Sequence, residues 1–274
     1  EDPNQFRDQE QQSTNKDIGI GTDGKAVNLD RWNYDTDPDN GVANLRGTQG
    51  NGWGNPGYVG KIENGRIIGK VPQYIKKDGE DTWCEVQDLT NTFCYWNGLV
   101  IAPEIPSGAT NMSSTFYGCT SLTTAPKIPD GVTDMSSTFW GCTSLTTAPK
   151  IPDGVTDMNR TFGDCKGLTI APEIPEGVRN MALTFYGCVN LTTAPTIPSS
   201  VTNIAGTFYS CKKLTGDIVI NAKQLTANSG SGYYSDNNGY TDCFLGTELP
   251  ITLKGTSPYL ERIAADRRNV TVAQ

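Results

Sequence analysis

The stretch VTDMSSTFWGCTSLTTAPKIPDG, residues 132–154, decides how this chain is read. Variants of it run through residues 86–214, and Phe93, Phe116, Phe139, Phe162, Phe185 and Phe208 recur at one constant interval, the length of the quoted stretch. A fixed period of that size outranks any local helix or strand signal, because each unit can bury its apolar side only against its neighbours. Function is therefore sought on a stacked surface.

Within the quoted copy the apolar positions are Val132, Met135, Phe139, Cys142, Leu145, Ala148 and Ile151. From Met135 to Cys142 the i, i+4, i+7 spacing predicts a short helix or a 3-10-rich turn. Just before the Met column stand Asp88, Asn111, Asp134, Asp157, Asn180 and Asn203, residue types that accept bonds from the free N–H groups opening a helix. The two prolines of LTTAPKIP exclude a continued helix. They predict a short strand followed by a polyproline-like return. Each column becomes a ladder with the roughly 4.8 Å spacing of neighbouring parallel strands.

The run M-x-x-T-F-x-G-C-x-x-L, present at residues 112–122 and 135–145, resembles the BspA-like class of bacterial leucine-rich-repeat surface proteins. The likeness is strong over residues 86–214, and the chain differs in carrying A-P-x-I-P where an L-x-L strand is usual. The resemblance implies a curved, secreted solenoid with a role in adhesion, binding a protein or glycan of a host or neighbouring cell. The expected fold class is thus an α+β repeat solenoid, a leucine-rich-repeat-like stack of 23-residue units with a β-rich N-terminal cap.

Composition agrees with a thin, turn-rich fold, with 36% hydrophobic residues, 30 Gly and 16 Pro in 274 residues. There are 30 acidic and 22 basic residues, and the basic ones form no stripe, which argues against nucleic acid. No apolar run approaches the length of a spanning helix, so no membrane insertion is expected within the chain. The chain begins Glu1-Asp2-Pro3 without Met, from which a processed or truncated start is expected, any signal or anchor lying upstream. Of eight cysteines, Cys119, Cys142, Cys165, Cys188 and Cys211 share a column that holds Trp96 and Thr247 in flanking units. Such a column reads as buried free thiols, while pairing of Cys84, Cys94 or Cys243 stays open.

In chain order, residues 1–17 are expected to be a disordered tether and 18–85 a β-rich N-terminal module. Asn64-Gly65 marks a hairpin within 58–75. The repeats occupy 86–220, followed by an insertion loop and a last irregular repeat over 221–249 and a cap of helix and strand over 250–274. DTDPDNG at residues 35–41 imitates the start of a calcium loop, but Arg46 stands where a bidentate Glu is needed, and a solvated turn is the simpler reading. GIGTDG at residues 19–24 lacks a following helix, so phosphate binding is not expected.

The chain has no histidine, which removes the Ser/His/Asp and Cys/His designs and the commonest zinc ligand. No enzyme activity, metal or cofactor is expected. The column after each Phe holds Tyr117, Trp140, Gly163, Tyr186 and Tyr209, about 100° round from the buried ring. Tyr117, Trp140, Tyr186 and Tyr209, with Tyr233 and Tyr234 of the insertion loop, are the candidate ligand-binding residues, since such rings join apolar bodies to polar tips. Shielding of the stack is the plainer role for them, and Gly163 reads as a break. Taken together the sequence points to surface recognition of a protein or glycan. The alternative is a structural subunit that self-assembles into a filament or coat.

Overall fold

The structure, a computed structural model, describes residues 16–47, 56–226, 239–265 and 267–273. The tether expected at residues 1–17 lies mostly outside this set. Among the described residues no helix is long and apolar enough to cross a membrane.

Of the two forms that its apolar spacing predicts, a short helix or a 3-10-rich turn, the Met-to-Cys segment of each repeat takes one nearer the turn, its internal bonds closing on the third residue back. It is a run of tandem turns in which alternate amides have different destinations. The N–H groups of Thr115, Tyr117 and Cys119 donate to the carbonyls of Met112, Ser114 and Phe116 in their own repeat, each at 3.1 Å. Those of Met112, Ser114, Phe116 and Gly118 instead reach Asp134, Ser136, Thr138 and Trp140 of the next, at 2.7–2.9 Å. Two left-handed residues per repeat break the helix and make the alternation work: Ser114 at φ 54° and Gly118 at φ 71°, then Ser137 and Gly141, Arg160 and Asp164, and Leu183 and Gly187. A left-handed residue with a Cβ costs roughly 1–2 kcal/mol, and the bonds across the stack offset it.

The expected strand is likewise reduced. Continuous parallel pairing survives only as single bridges, running Asp88, Asn111, Asp134, Asp157, Asn180, Asn203, with further ones at Ile101–Thr124 and Ile170–Thr193. Proline without an N–H cannot extend such a ladder.

Side-chain columns follow this backbone. Phe93 to Phe208 and then Phe244 are stacked at centroid separations of 5.4–5.8 Å and are buried together with the Met, Cys and Leu columns. Thr115 places its hydroxyl between Leu89 O at 3.0 Å and Met112 O at 2.7 Å, and Thr92, Thr138, Thr184 and Thr207 repeat the arrangement. The Asp/Asn column performs the chemistry expected of a cap without a helix to cap. Each side chain accepts the N–H two residues on, as Asp134 does from Ser136 at 2.7 Å and Asn180 from Ala182 at 3.1 Å.

The N-terminal module consists of β1 (Ile18–Gly21), β2 (Ala26–Val27), β3 (Asp35–Asp37), β4 (Val42–Asn44), β5 (Ile62–Glu63), β6 (Arg66–Ile67), β7 (Pro72–Lys76) and β8 (Cys84–Asp88). Six of these form one sheet in the order β2-β1-β7-β8-β4-β3, with β4 parallel to β8. Where that pairing ends, the chain imitates a repeat. Leu45, Gly47 and Tyr58 donate to Asp88, Thr90 and Thr92, as Leu89, Asn91 and Phe93 donate to the repeat that follows. Tyr58 takes the Phe place, its ring 5.9 Å from Phe93. β5 and β6 form a hairpin about Asn64-Gly65, both left-handed, and the Gly65 carbonyl accepts the N–H groups of Val100 and Ile101 in the first repeat. The turn at residues 37–40 is held by Asp37, whose carboxylate accepts from Asn40.

At the other end, residues 239–247 supply one more unit in the same hydrogen-bond register. Strands β9 (Gly216–Val219), β10 (Ile251–Lys254) and β11 (Val270–Val272) form a parallel sheet in the order β11-β10-β9. Helix α1 (Leu260–Ala264) lays Leu260, Ile263 and Ala264 against it.

Two predictions test the Asp/Asn column. Asn180→Ala removes the acceptor for Ala182 N–H and a donor to Asp157, and should cost about 1 kcal/mol in urea unfolding. Burial, opposed by the Asn159 N–H and reinforced by Asp134, raises the pKa of Asp157. A raised acid pKa means that folding is favoured most below the ordinary value of 3.8 and loses that contribution as pH climbs through the raised one. Asp157→Asn should therefore raise the thermal midpoint at pH 7, and the gain should vanish as pH falls below the ordinary carboxylate range.

Candidate recognition surface

Four repeats bring the residue after the buried Phe to the outside of the stack, as where the turn that places Phe116 inward is closed by Tyr117 N–H bonding Ser114 O. Tyr117, Trp140, Tyr186 and Tyr209 emerge half-buried and in one row. Tyr117 and Trp140 are 6.5 Å apart and 12° from parallel, Trp140 and Tyr186 5.7 Å and 17°, Tyr186 and Tyr209 5.0 Å and 26°. The row gains a fifth ring that the column pattern missed. Tyr95 sits one position later, where other repeats carry Gly118 or Gly141, and its left-handed backbone (φ 60°) turns its ring onto Tyr117 at 5.3 Å. Its phenol pKa is raised, chiefly by burial and then by Tyr117. Tyr233 and Tyr234 lie outside the described residues.

Gly163 does not break the row, contrary to its reading in the sequence. A Cβ there would run into the indole of Trp140, so the missing side chain is what lets Trp140 lean across a whole repeat to reach Tyr186. Beside this crossing lies a cleft of about 410 Å³, with Tyr117, Trp140 and Tyr186 on its ring side. Ser137, Arg160 and Leu183, left-handed residues of three successive repeats, line it with Asp164. Burial pushes the Asp164 carboxyl pKa up, with Lys166 opposing.

The cysteine column belongs to the interior. Cys119, Cys142, Cys165, Cys188 and Cys211 are unpaired and buried, each thiol donating to the Phe carbonyl of the preceding unit at 3.0–3.2 Å. Cys84, Cys94 and Cys243 are also free and buried. Burial pushes Cys94 up to about 11 and Cys119 up to about 12, so the reactive thiolate is scarce at neutral pH.

With this geometry in view, residues 90–215 match the family model of the BspA type leucine rich repeat region, in six copies. The repeat region of this chain is accordingly of the BspA-type leucine-rich-repeat class. Among solved structures the chain is similar to a leucine rich cell surface protein from Faecalibacterium prausnitzii A2-165, at 23% identity and a TM-score of 0.54, covering 83% of this chain and 54% of that one. The chain thus spans about half the length of that protein, and the likeness is one of fold. A leucine rich repeat protein of T. pallidum is also 23% identical, with a TM-score of 0.45 over 68% of this chain and 88% of that one. No curated protein matches the chain.

The thiol geometry makes a direct prediction. In the folded protein at pH 7 a thiol reagent such as DTNB should titrate fewer than one cysteine within minutes, and all eight after unfolding in guanidinium. Rapid labelling of two or more in the native state would contradict burial of the column.

Proposed function

We propose that this chain is a non-enzymatic recognition module of a bacterial cell surface, a solenoid that holds a protein or glycan on its aromatic row. The observation that carries the reading is the unbroken contact of five part-exposed rings, from Tyr95 through Tyr117, Trp140 and Tyr186 to Tyr209. Tyr and Trp supply large contact area at little cost in conformational entropy. Truncating such anchors at the centre of an interface commonly costs about 2 kcal/mol each. The BspA-type repeat and the surface protein that shares its fold support a place outside the cell. Nothing in the columns calls for catalysis: the ordered carboxylates Asp134 and Asp157 are occupied in holding the amides of Ser136 and Asn159.

The test is attachment of the purified chain to cells and to arrays of matrix proteins and glycans. A variant carrying Tyr117→Ala, Trp140→Ala, Tyr186→Ala and Tyr209→Ala should unfold cooperatively, since the inner columns are untouched, and should lose at least about thirtyfold in affinity. Undiminished binding by the folded variant would move the ligand off this face. A parent that binds nothing but gains mass with concentration would make the row a contact between copies.

A further inference from the structure

The cleft beside Gly163 has features that a shielding role for the rings does not require. The repeats of Phe116, Phe139, Phe185 and Phe208 all place a ring directly after the Phe, and the repeat of Phe162 places none. Its backbone is nevertheless the same: Gly163 N–H bonds Arg160 O at 3.1 Å, as Tyr117 N–H bonds Ser114 O at 3.1 Å. Gly163 is not in the left-handed region, so a side chain is excluded there by the indole of Trp140 and not by the chain path. In the same repeat the left-handed positions, Ser and Gly in the two repeats before it, hold Arg160 and Asp164. One repeat thus combines a missing ring with an added cation and an added carboxylate; Arg160 and Asp164 line the cleft, and so does Trp140, whose indole lies over Gly163.

Their chemistry selects among ligands. Tyr117, Trp140 and Tyr186 lie nearly parallel along the row, so their faces are largely spent on one another. They offer edges, phenol groups and the indole N–H rather than a broad apolar plane. Arg160 brings guanidinium N–H donors to the lining of the cleft, and Asp164 brings acceptor oxygens. A ligand of either charge is attracted by one of these groups and opposed by the other, whereas a neutral ring bearing adjacent hydroxyls donates to Asp164 and accepts from Arg160 with no such opposition. We propose that this cleft is a saccharide subsite, taking a neutral sugar ring beside Trp140 with its hydroxyls shared between Asp164 and Arg160. The subsite rests on the recognition reading above and narrows it to one ligand class and one repeat. Gly163 is its specificity-determining residue, because a side chain there restores the regular column and displaces Trp140.

The experiment titrates the chain with neutral tetrasaccharides of glucose, mannose, galactose and xylose. Sialyllactose and tetralysine serve as charged probes, binding being followed by calorimetry and tryptophan fluorescence. At least one neutral tetrasaccharide should bind, and Gly163→Tyr, whose side chain must displace the Trp140 indole, should weaken it about tenfold or more while the variant still unfolds cooperatively. Asp164→Asn should weaken it by a similar factor through loss of a charged acceptor. The subsite is overturned if no neutral saccharide binds, if only the charged probes bind, or if binding survives in Gly163→Tyr. Ring-dependent attachment to cells that persists without any saccharide binding removes the subsite and leaves the recognition reading standing. Absence of any ring-dependent attachment removes both.

Discussion

The structure depends on how a repeat region without helix, paired across the stack through single parallel bridges, satisfies its backbone. Buried amides left without partners cost about as much as lost hydrogen bonds, and prolines at positions such as Pro126 and Pro129 deny the repeat a full strand. The solution is division of labour between alternate amides, one set closing turns within the repeat and the other bonding the repeat beyond. It requires a left-handed residue near each end of the turn run, and it leaves carbonyls such as Leu89 O and Met112 O beside the Thr hydroxyls that bridge them. An isolated repeat would leave half of those donors without partners. Stacking is therefore a condition of folding here, and both ends must present the same row of acceptors or donors.

That requirement explains which parts of the fold can be read from the sequence. The inner columns of Met, Phe, Cys and Leu are legible because burial on one face imposes a strict period. The Asp/Asn column is legible in its chemistry and misleading in its setting. A spacing of 3 and 4 between apolar residues suits a helix and suits equally a chain of tandem turns that brings Met112, Phe116 and Cys119 inward. The feature that separates the two is the second left-handed column, where Gly118, Gly141 and Gly187 stand beside Tyr95, Asp164 and Ser210. Glycine there favours a turn over a helix interior, but its replacement in those other copies hides the signal. The unit formed by Leu45, Gly47 and Tyr58 is illegible for another reason. Leu45 and Tyr58, its Met and Phe equivalents, lie much farther apart along the chain than Met112 and Phe116, so no periodic pattern exposes it.

The aromatic row is legible as a column, and its internal geometry is not. A pattern shows that Tyr117, Trp140, Tyr186 and Tyr209 share an address; it does not show which way a ring leans. Trp140 crosses the Gly163 repeat because an indole is long enough and nothing occupies the space. Tyr95 joins the row because its left-handed backbone redirects its side chain. Both effects arise from single residues at the outer positions, where the period constrains the path of the chain and leaves the side chain free.

Stacked aromatic pairs contribute roughly 0.5–1.5 kcal/mol beyond the area they bury, which by itself would account for rings shielding the outside of the stack. Shielding, however, would favour a ring in every repeat, whereas this position holds Cys94 and Gly163 as well. The inner Phe column shows what a packing constraint produces, since it admits no exception from Phe93 to Phe208. The outer column varies where a ligand-facing surface would be shaped, and its most extreme change, loss of the side chain at Gly163, coincides with the appearance of Arg160 and Asp164. A glycine that served only to spare a crowded neighbour would have no need of a cation and a carboxylate lining the same cleft. Their coincidence makes recognition the more economical account of the row, with stacking as the means by which the rings are held in place.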